Sequence, residues 1–211
     1  LFGHVYDHAN YRKHQKLLIN HNFKLVQTNR EYSCDIREVN TEKYQSLIKK
    51  LESEGIKFYD SRDEMKDFPN HLKKLEKLEW TLDQDIPHPD GIKPTRMPFE
   101  QWKKVVLDFY NNSYGVDIVA VKDEQYIGST DIEVYPKSEP YKGWTGGLGV
   151  IREFRRKGIA TALKVKAIEA LLKKGVTEVR TDNEENNPMY KINVALGFKP
   201  VPFSLEYIKE L

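Results

Sequence analysis

The stretch Leu148-Gly149-Val150-Ile151-Arg152-Glu153-Phe154-Arg155-Arg156-Lys157-Gly158-Ile159-Ala160 decides how the chain is read. Its apolar opening suits a strand, its middle a tight turn, and its close the start of a helix over 159–174 that ends at Gly175. The turn carries three consecutive cations, Arg155, Arg156 and Lys157, followed by a glycine. Small residues at 158 and 160 let a ligand approach the backbone closely. The first N–H groups of a helix lack intrahelical acceptors, and the helix dipole favours negative charge there. A phosphate or pyrophosphate cradle meets this description. So does a solvated basic turn capping a core helix.

Outward from this unit, helical and strand periods alternate. Residues 41–54 predict an amphipathic helix, with Thr41 as N-cap and Tyr44, Leu47, Ile48 and Leu51 on one face. Residues 56–59 read as a short strand, and 70–82 and 99–109 as helices flanking a loop, 83–98, that holds four prolines. Strands follow at 117–121, 125–135 and 146–151, with a polar loop at 136–142. After the 159–174 helix come a strand at 176–182, a helix at 187–196 and strands near 198–202 and 204–210. The order predicts a mixed α/β domain, its sheet mostly antiparallel and twisted, with helices on both faces. On the 159–174 helix, Ile159, Leu163, Ala167, Ala170 and Leu171 make the apolar face; Lys164, Lys166, Glu169, Lys173 and Lys174 are expected in solvent.

Bulk properties exclude several classes. The 211 residues carry 34 Lys+Arg against 32 Asp+Glu, so a net charge of +2 supplies no global field for nucleic acid or anionic lipid. Neither is expected as a partner. A mean hydropathy of −0.68, without an apolar run near ~18 residues, argues against a membrane-spanning helix. A single Cys34 rules out an internal disulfide and suits a reducing, cytoplasmic setting. The His and Asp residues show no metal-ligand spacing, and esterase and P-loop motifs are absent from the sequence.

One internal repeat stands out. Residues 16–32 align with 191–207 through Lys16, Phe23, Lys24, Val26, Glu31 and Tyr32, and Asn22 falls opposite Gly197. Both residue types tolerate the left-handed conformation that ends a helix. The first 36 residues therefore read as the closing part of a module whose complete copy occupies 37–211. Together with the Leu at position 1, this suggests the C-terminal part of a longer tandem protein, its opening half-module docked on the complete domain.

Arg155-x-x-Gly158-x-Ala160 resembles the Q/R-x-x-G-x-G/A signature of the GNAT superfamily of acyl-CoA-dependent N-acyltransferases. Thr181-x-Asn183 and Asn187-x-Met189-x-x-x-Asn193-x-x-Leu196-Gly197-Phe198 resemble the closing motif of its tandem-module branch. The resemblance implies a splayed central strand pair and acetyl-CoA as co-substrate. Leu148, Gly149 and Val150 would line the pantetheine arm through their backbone, with the Val150 N–H polarising the thioester carbonyl. Backbone N–H groups from Arg156 through Lys157, Gly158, Ile159 and Ala160 to Thr161 would hold the pyrophosphate, with Arg155, Arg156 and Lys157 adding local positive charge. Asn183, Asn187 and Asn193 would lie along the cofactor.

The chain departs from the pattern at one point. Where many members place a tyrosine that protonates the leaving thiolate, it has Asn193, an amide that cannot donate a proton at neutral pH. Tyr190, one turn earlier, is the substitute candidate, or a packing residue. Strand alternation puts Ile127, Ser129, Asp131, Glu133 and Tyr135 on one face, and Glu133 is the candidate base, with Asp182 behind it. For the acceptor, Asp83, Asp85, His88 and Asp90 are candidates to bind a cationic amine, and Trp80 and Trp102 to wall its pocket; solvation and core packing are the plain alternatives. The implied activity is acetyl transfer from acetyl-CoA to a primary amine of a small molecule or peptide, by direct attack in a ternary complex. A CoA-binding module without turnover and a regulatory protein keeping only the fold are the competing readings.

Overall fold

The computed structural model describes residues 1–86, 93–184 and 189–210. Along the chain lie β1 (Phe2–Tyr6), α1 (Arg12–Asn20), β2 (Lys24–Asp35), α2 (Gln45–Ser53), β3 (Lys57–Asp60), α3 (His71–Asp83), α4 (Phe99–Asn112), β4 (Val116–Lys122), β5 (Gln125–Val134) and β6 (Lys142–Val150). Then follow α5 (Ile159–Lys173), β7 (Glu178–Glu184), α6 (Tyr190–Ala195), β8 (Lys199–Pro200) and β9 (Ser204–Ile208). These elements divide between two compact units. One comprises 35–86 and 94–179; the other comprises, among the described residues, 1–34, 93, 180–184 and 189–210.

In the larger unit the strands are ordered β6-β5-β4-β3, every ladder antiparallel. β4 is buried from Val116 through Val121, as a central strand covered on both faces must be. Gly128 and Gly149 show which helix covers which face. A Cβ on Gly128 would meet Leu163 of α5, whereas one on Gly149 would meet Leu82 of α3. Gly149 pairs with Ser129, the residue after Gly128, so alternation puts the two helices on opposite faces. This is the mixed α/β arrangement the sequence predicts.

Two details differ from expectation. Residues 41–44 form a 3-10 turn capped by the Asn40 side chain, which accepts from Lys43 N at 3.2 Å, so Thr41 is not the cap and the α-helix begins at Gln45. More consequentially, Lys164 is fully buried rather than solvated, and its Nζ donates to Thr145 Oγ1 on β6 at 2.7 Å. Buried positions on α5 run around most of its circumference, so little of the helix is left for water, and the lysine stem threads to a polar partner instead. Glu169 is held by Gln45, and Lys166 pairs with Glu52.

The smaller unit contains the repeat, and there the alignment has a geometric counterpart. Each copy is a strand, a helix, a turn and a closing strand. Asn22 and Gly197 both take positive φ, 63° and 93°. Phe23 N bonds Leu18 O at 3.1 Å, and Phe198 N bonds Asn193 O at 3.0 Å, the same closure one repeat later. The strands run β1-β9-β2-β7, so each copy's first strand lies outside the other copy's closing strand. Asn29 faces Ser204, its own counterpart. On either side the pair Leu25–Tyr207 is mirrored by Tyr32–Pro200, and Lys24–Ile208 by Ser33–Lys199. The ladder therefore has an internal two-fold axis. Around it Val5, Leu205 and Tyr207 form a small core with Leu18 and Phe23.

Candidate active site

The β5–β6 ladder shifts register between Asp131–Gly147 and Ile132–Thr145, leaving Gly146 as an extra residue on β6. Asp131 exploits that bulge. A Cβ on Gly146 would sit 2.0 Å from Asp131 Oδ2, so only glycine leaves room for the carboxylate. Asp131 accepts from the Gly147 N–H, while Thr130 Oγ1 donates to the Gly147 carbonyl at 2.7 Å. Burial, reinforced by the charges of Asp117 and Glu133, pushes Asp131 up from 3.8 to about 7. A carboxyl poised there exchanges protons at neutral pH.

Two further acids flank it. Asp117 lies directly opposite Asp131 on β4 and accepts from Tyr110 Oη at 2.6 Å; burial raises it to about 6. Glu79 of α3 is raised to about 8 by burial, against a 2.6 Å hydrogen bond from Trp102 Nε1, and it holds its proton at neutrality. Trp102 is thus tied to Glu79. Half-buried Trp80 instead stacks beneath the Arg96 guanidinium, 5.9 Å away.

The basic turn lies at the far end of β6. Arg155 Nε donates to the Val150 carbonyl at 2.8 Å, and its Nη2 meets Asp85 Oδ2 at 2.5 Å. Arg152 grips the same carboxylate, and the two arginines hold Asp85 below the usual carboxylate range. Asp85 is thereby already neutralised by cations of its own unit. Arg156 and Gly158 both have positive φ, 65° and 85°, and no described side chain caps the helix that Gly158 opens. The first N–H groups of α5, those of Ile159, Ala160 and Thr161, thus meet an alternating left-handed backbone of the kind that cups anions. Arg156 and Lys157 are exposed beside it. Leu47 of α2 rests on Gly158, where a Cβ would lie 2.8 Å from its Cδ1. Uncapped donors and adjacent cations together suit the pyrophosphate of CoA.

The model of the GNAT acetyltransferase family matches residues 72–195, which span β6, the basic turn and α5. The chain belongs to the GNAT acetyltransferase family. No curated protein sequence matches it significantly. Among solved structures, a GCN5-related N-acetyltransferase from Sphaerobacter thermophilus is similar at TM-score 0.69 and 16% identity, over 100% of this chain and 60% of that one. A tandem GNAT protein from the clavulanic acid biosynthesis pathway gives 0.69 and 18%, over 98% and 62%. The glucosamine N-acetyltransferase region of a fungal multi-domain β-N-acetylglucosaminidase gives 0.67 and 17%, over 96% and 23%. At such identities the likeness shows the fold, and the chain spans about three fifths of the first two.

In this GNAT acetyltransferase the remaining candidates divide between the units. Glu133 lies opposite Trp144 on the open part of β5, and Tyr135 Oη donates to it. In the smaller unit, Asn193 Nδ2 donates to Asn183 Oδ1 at 2.9 Å, and Asn193 is 2% exposed. Its Oδ1 has no partner among the described residues. Tyr190 is half-buried and Asp182 exposed. Asn187, His88 and Asp90 fall outside the described residues. No group of acidic, His or Cys residues fit to hold a metal occurs among the described residues. The sequence reading missed the weight of Asp131. The signal was there, in an aspartate inside an alternating strand facing a Gly-Gly pair, but the bulge that makes its niche carries no motif.

Proposed function

We propose that the chain is an acetyl-CoA-dependent N-acetyltransferase that moves an acetyl group to a primary amine by direct attack in a ternary complex. The observation that carries this reading is the placement, within one unit, of an uncapped glycine-opened helix start at the end of β6 and the niche-bound Asp131 beside the bulge in the middle of that strand. The thioester of acetyl-CoA supplies the activated acyl carbon. The N–H groups of Arg156–Thr161 bind the phosphates, and Val150 N–H polarises the thioester carbonyl as charge develops there. Asp131, rather than Glu133, takes a proton from the acceptor's ammonium, the neutral amine then attacks the acyl carbon, and the C–S bond breaks to release CoA as its thiolate; burial has brought Asp131 close to working pH while Glu133 is engaged by Tyr135. Asn183 and Asn193 lie in the closing motif that the family uses along the cofactor. We also infer that residues 1–36 are the tail of a degenerate GNAT-like module. At the repeat positions of Asn183 and Asn193 that module has His8 and Leu18.

Thermal-shift titration with acetyl-CoA and with CoA tests the reading. Stabilisation of about 2.7 kcal/mol is expected at a hundredfold excess over Kd, and none by either would overturn it. Gly158→Glu, which sets a carboxylate among the phosphate donors, should abolish the shift. Thiol release from acetyl-CoA across a panel of amino acids, polyamines, aminoglycosides and peptides then separates an enzyme from a CoA-binding module.

A further inference from the structure

A chain of hydrogen bonds runs behind the candidate base. His71 Nδ1 lies 3.0 Å from Tyr126 Oη, His71 Nε2 lies 3.0 Å from Ser61 Oγ, and Ser61 Oγ lies 2.6 Å from Tyr110 Oη. Tyr110 Oη in turn donates to Asp117 Oδ2 at 2.6 Å. Ser61, His71, Asp117 and Tyr126 are all buried. With Asp117 ionised, one assignment satisfies every contact in the chain. Tyr126 donates to His71, neutral His71 donates through Nε2 to Ser61, Ser61 donates onward, and Tyr110 donates to the carboxylate. In that assignment the donors all point toward Asp117 and its carboxylate is the acceptor at the end, which favours the ionised form. Burial lowers the His71 pKa, which favours the neutral ring that this polarity requires.

Asp117 sits directly across the β4–β5 ladder from Asp131. Opposed residues on antiparallel strands hold their Cβ atoms roughly 4.5–5.5 Å apart. We propose that the Tyr126–His71–Ser61–Tyr110 chain is a positioning device that fixes Asp117 as an anion opposite Asp131, so that Asp131 binds a proton firmly enough to take one from the acceptor amine. The assignment rests on Asp131 as the base. The other groups bearing on the pair are Glu79 from α3, Glu133 from β5 itself and the Gly147 N–H from β6, with Asp60 and Arg62 facing Asp117. Arg62 spends its guanidinium on the carbonyls of Tyr110, Ser113 and Gly115, which keeps it bound to the backbone beside Asp117. Among the described residues Glu79 and Glu133 each accept from a single ring donor, Trp102 and Tyr135, with no longer chain behind it. Asp117 has such a chain.

Carboxyl NMR of the full chain labelled with ¹³C-aspartate tests the proposal without needing the acceptor. The Asp131 signal is assigned by its loss in Asp131→Asn. In Asp117→Asn its titration midpoint should fall by about one pH unit or more, a tenfold weaker hold on the proton. Tyr110→Phe keeps the ring but removes the last donor, so Asp117 competes for the proton and the Asp131 midpoint should fall as well. An unchanged Asp131 midpoint in Asp117→Asn, or in Tyr110→Phe if the first variant does not fold, overturns the proposal. The base assignment fails separately. It falls if Asp131→Asn retains full acetyl-CoA turnover in the amine panel, whatever the NMR midpoints show.

Discussion

Asp131→Asn should make the protein more stable at alkaline pH while removing the proposed base. The carboxyl has a pKa of 3.8 when solvated and about 7 in the fold. A raised acid pKa means the folded state holds the proton more tightly. The stabilisation is complete below 3.8, drains away as pH rises, and is gone above about 7. Roughly three units at about 1.4 kcal/mol each make the cost of keeping this carboxylate ionised about 4 kcal/mol at pH 8. Asparagine has the same shape, can still accept from the Gly147 N–H, and cannot ionise. The variant should therefore exceed the parent by up to about 4 kcal/mol at pH 8, and by less than about 2 kcal/mol at pH 5. For a chain of this length that is a melting shift of about 8–16 °C at pH 8. Thermal unfolding of both proteins from pH 5 to 9 measures it. Glu79 and Asp117 titrate in the same window, so the quantity to read is the difference between variant and parent. A difference that stays constant between pH 5 and 8 would refute the buried carboxylate. A gain in stability joined to a loss of turnover is the signature of a site strained for its task.

Three other outcomes are expected. Gly146→Ala drives a methyl into Asp131 Oδ2, so turnover should fall at least tenfold while the CoA-induced thermal shift persists; full turnover would show that the niche does not matter. Asp85→Asn releases Arg152 and Arg155, and CoA affinity at low salt should rise roughly fivefold, the scale of about 1 kcal/mol for an exposed ion pair. Calorimetry showing weaker binding would mean that Asp85 shapes the turn instead. Gly197→Ala meets no atom within 4 Å and so isolates backbone strain at φ 93°, with about 1–2 kcal/mol lost in chemical denaturation. No loss would deny that this turn needs its left-handed residue.

Features set by neighbours in the chain were legible in the sequence. The glycine that opens α5, the span of that helix, and the left-handed turns at Asn22 and Gly197 all follow from local chemistry. Features set by distant partners were not. Lys164 looks like any surface lysine until β6 brings Thr145 within reach. Asp85 reads as a free carboxylate until arginines 67 and 70 residues away close on it. Asp131 and Glu133 share a strand face on paper, and only the one-residue bulge at Gly146 gives the first a niche and leaves the second on the open strand. Of the helix expected over 187–196, the structure shows α6 from Tyr190 to Ala195, and positions 187 and 188 lie outside the described residues.

The two-fold ladder also has a consequence in time. β2 is made before β3 to β6, yet its ladder neighbours, β7, β8 and β9, come after them. From Asp35 until Glu178 emerges, β2 has neither edge paired. Contacts of such high sequence separation form slowly, and an unpaired strand is a template for association with other chains. The unit built on this axis can close only after β9 has been made. Until then the nascent chain carries a sticky strand that folding alone cannot cover.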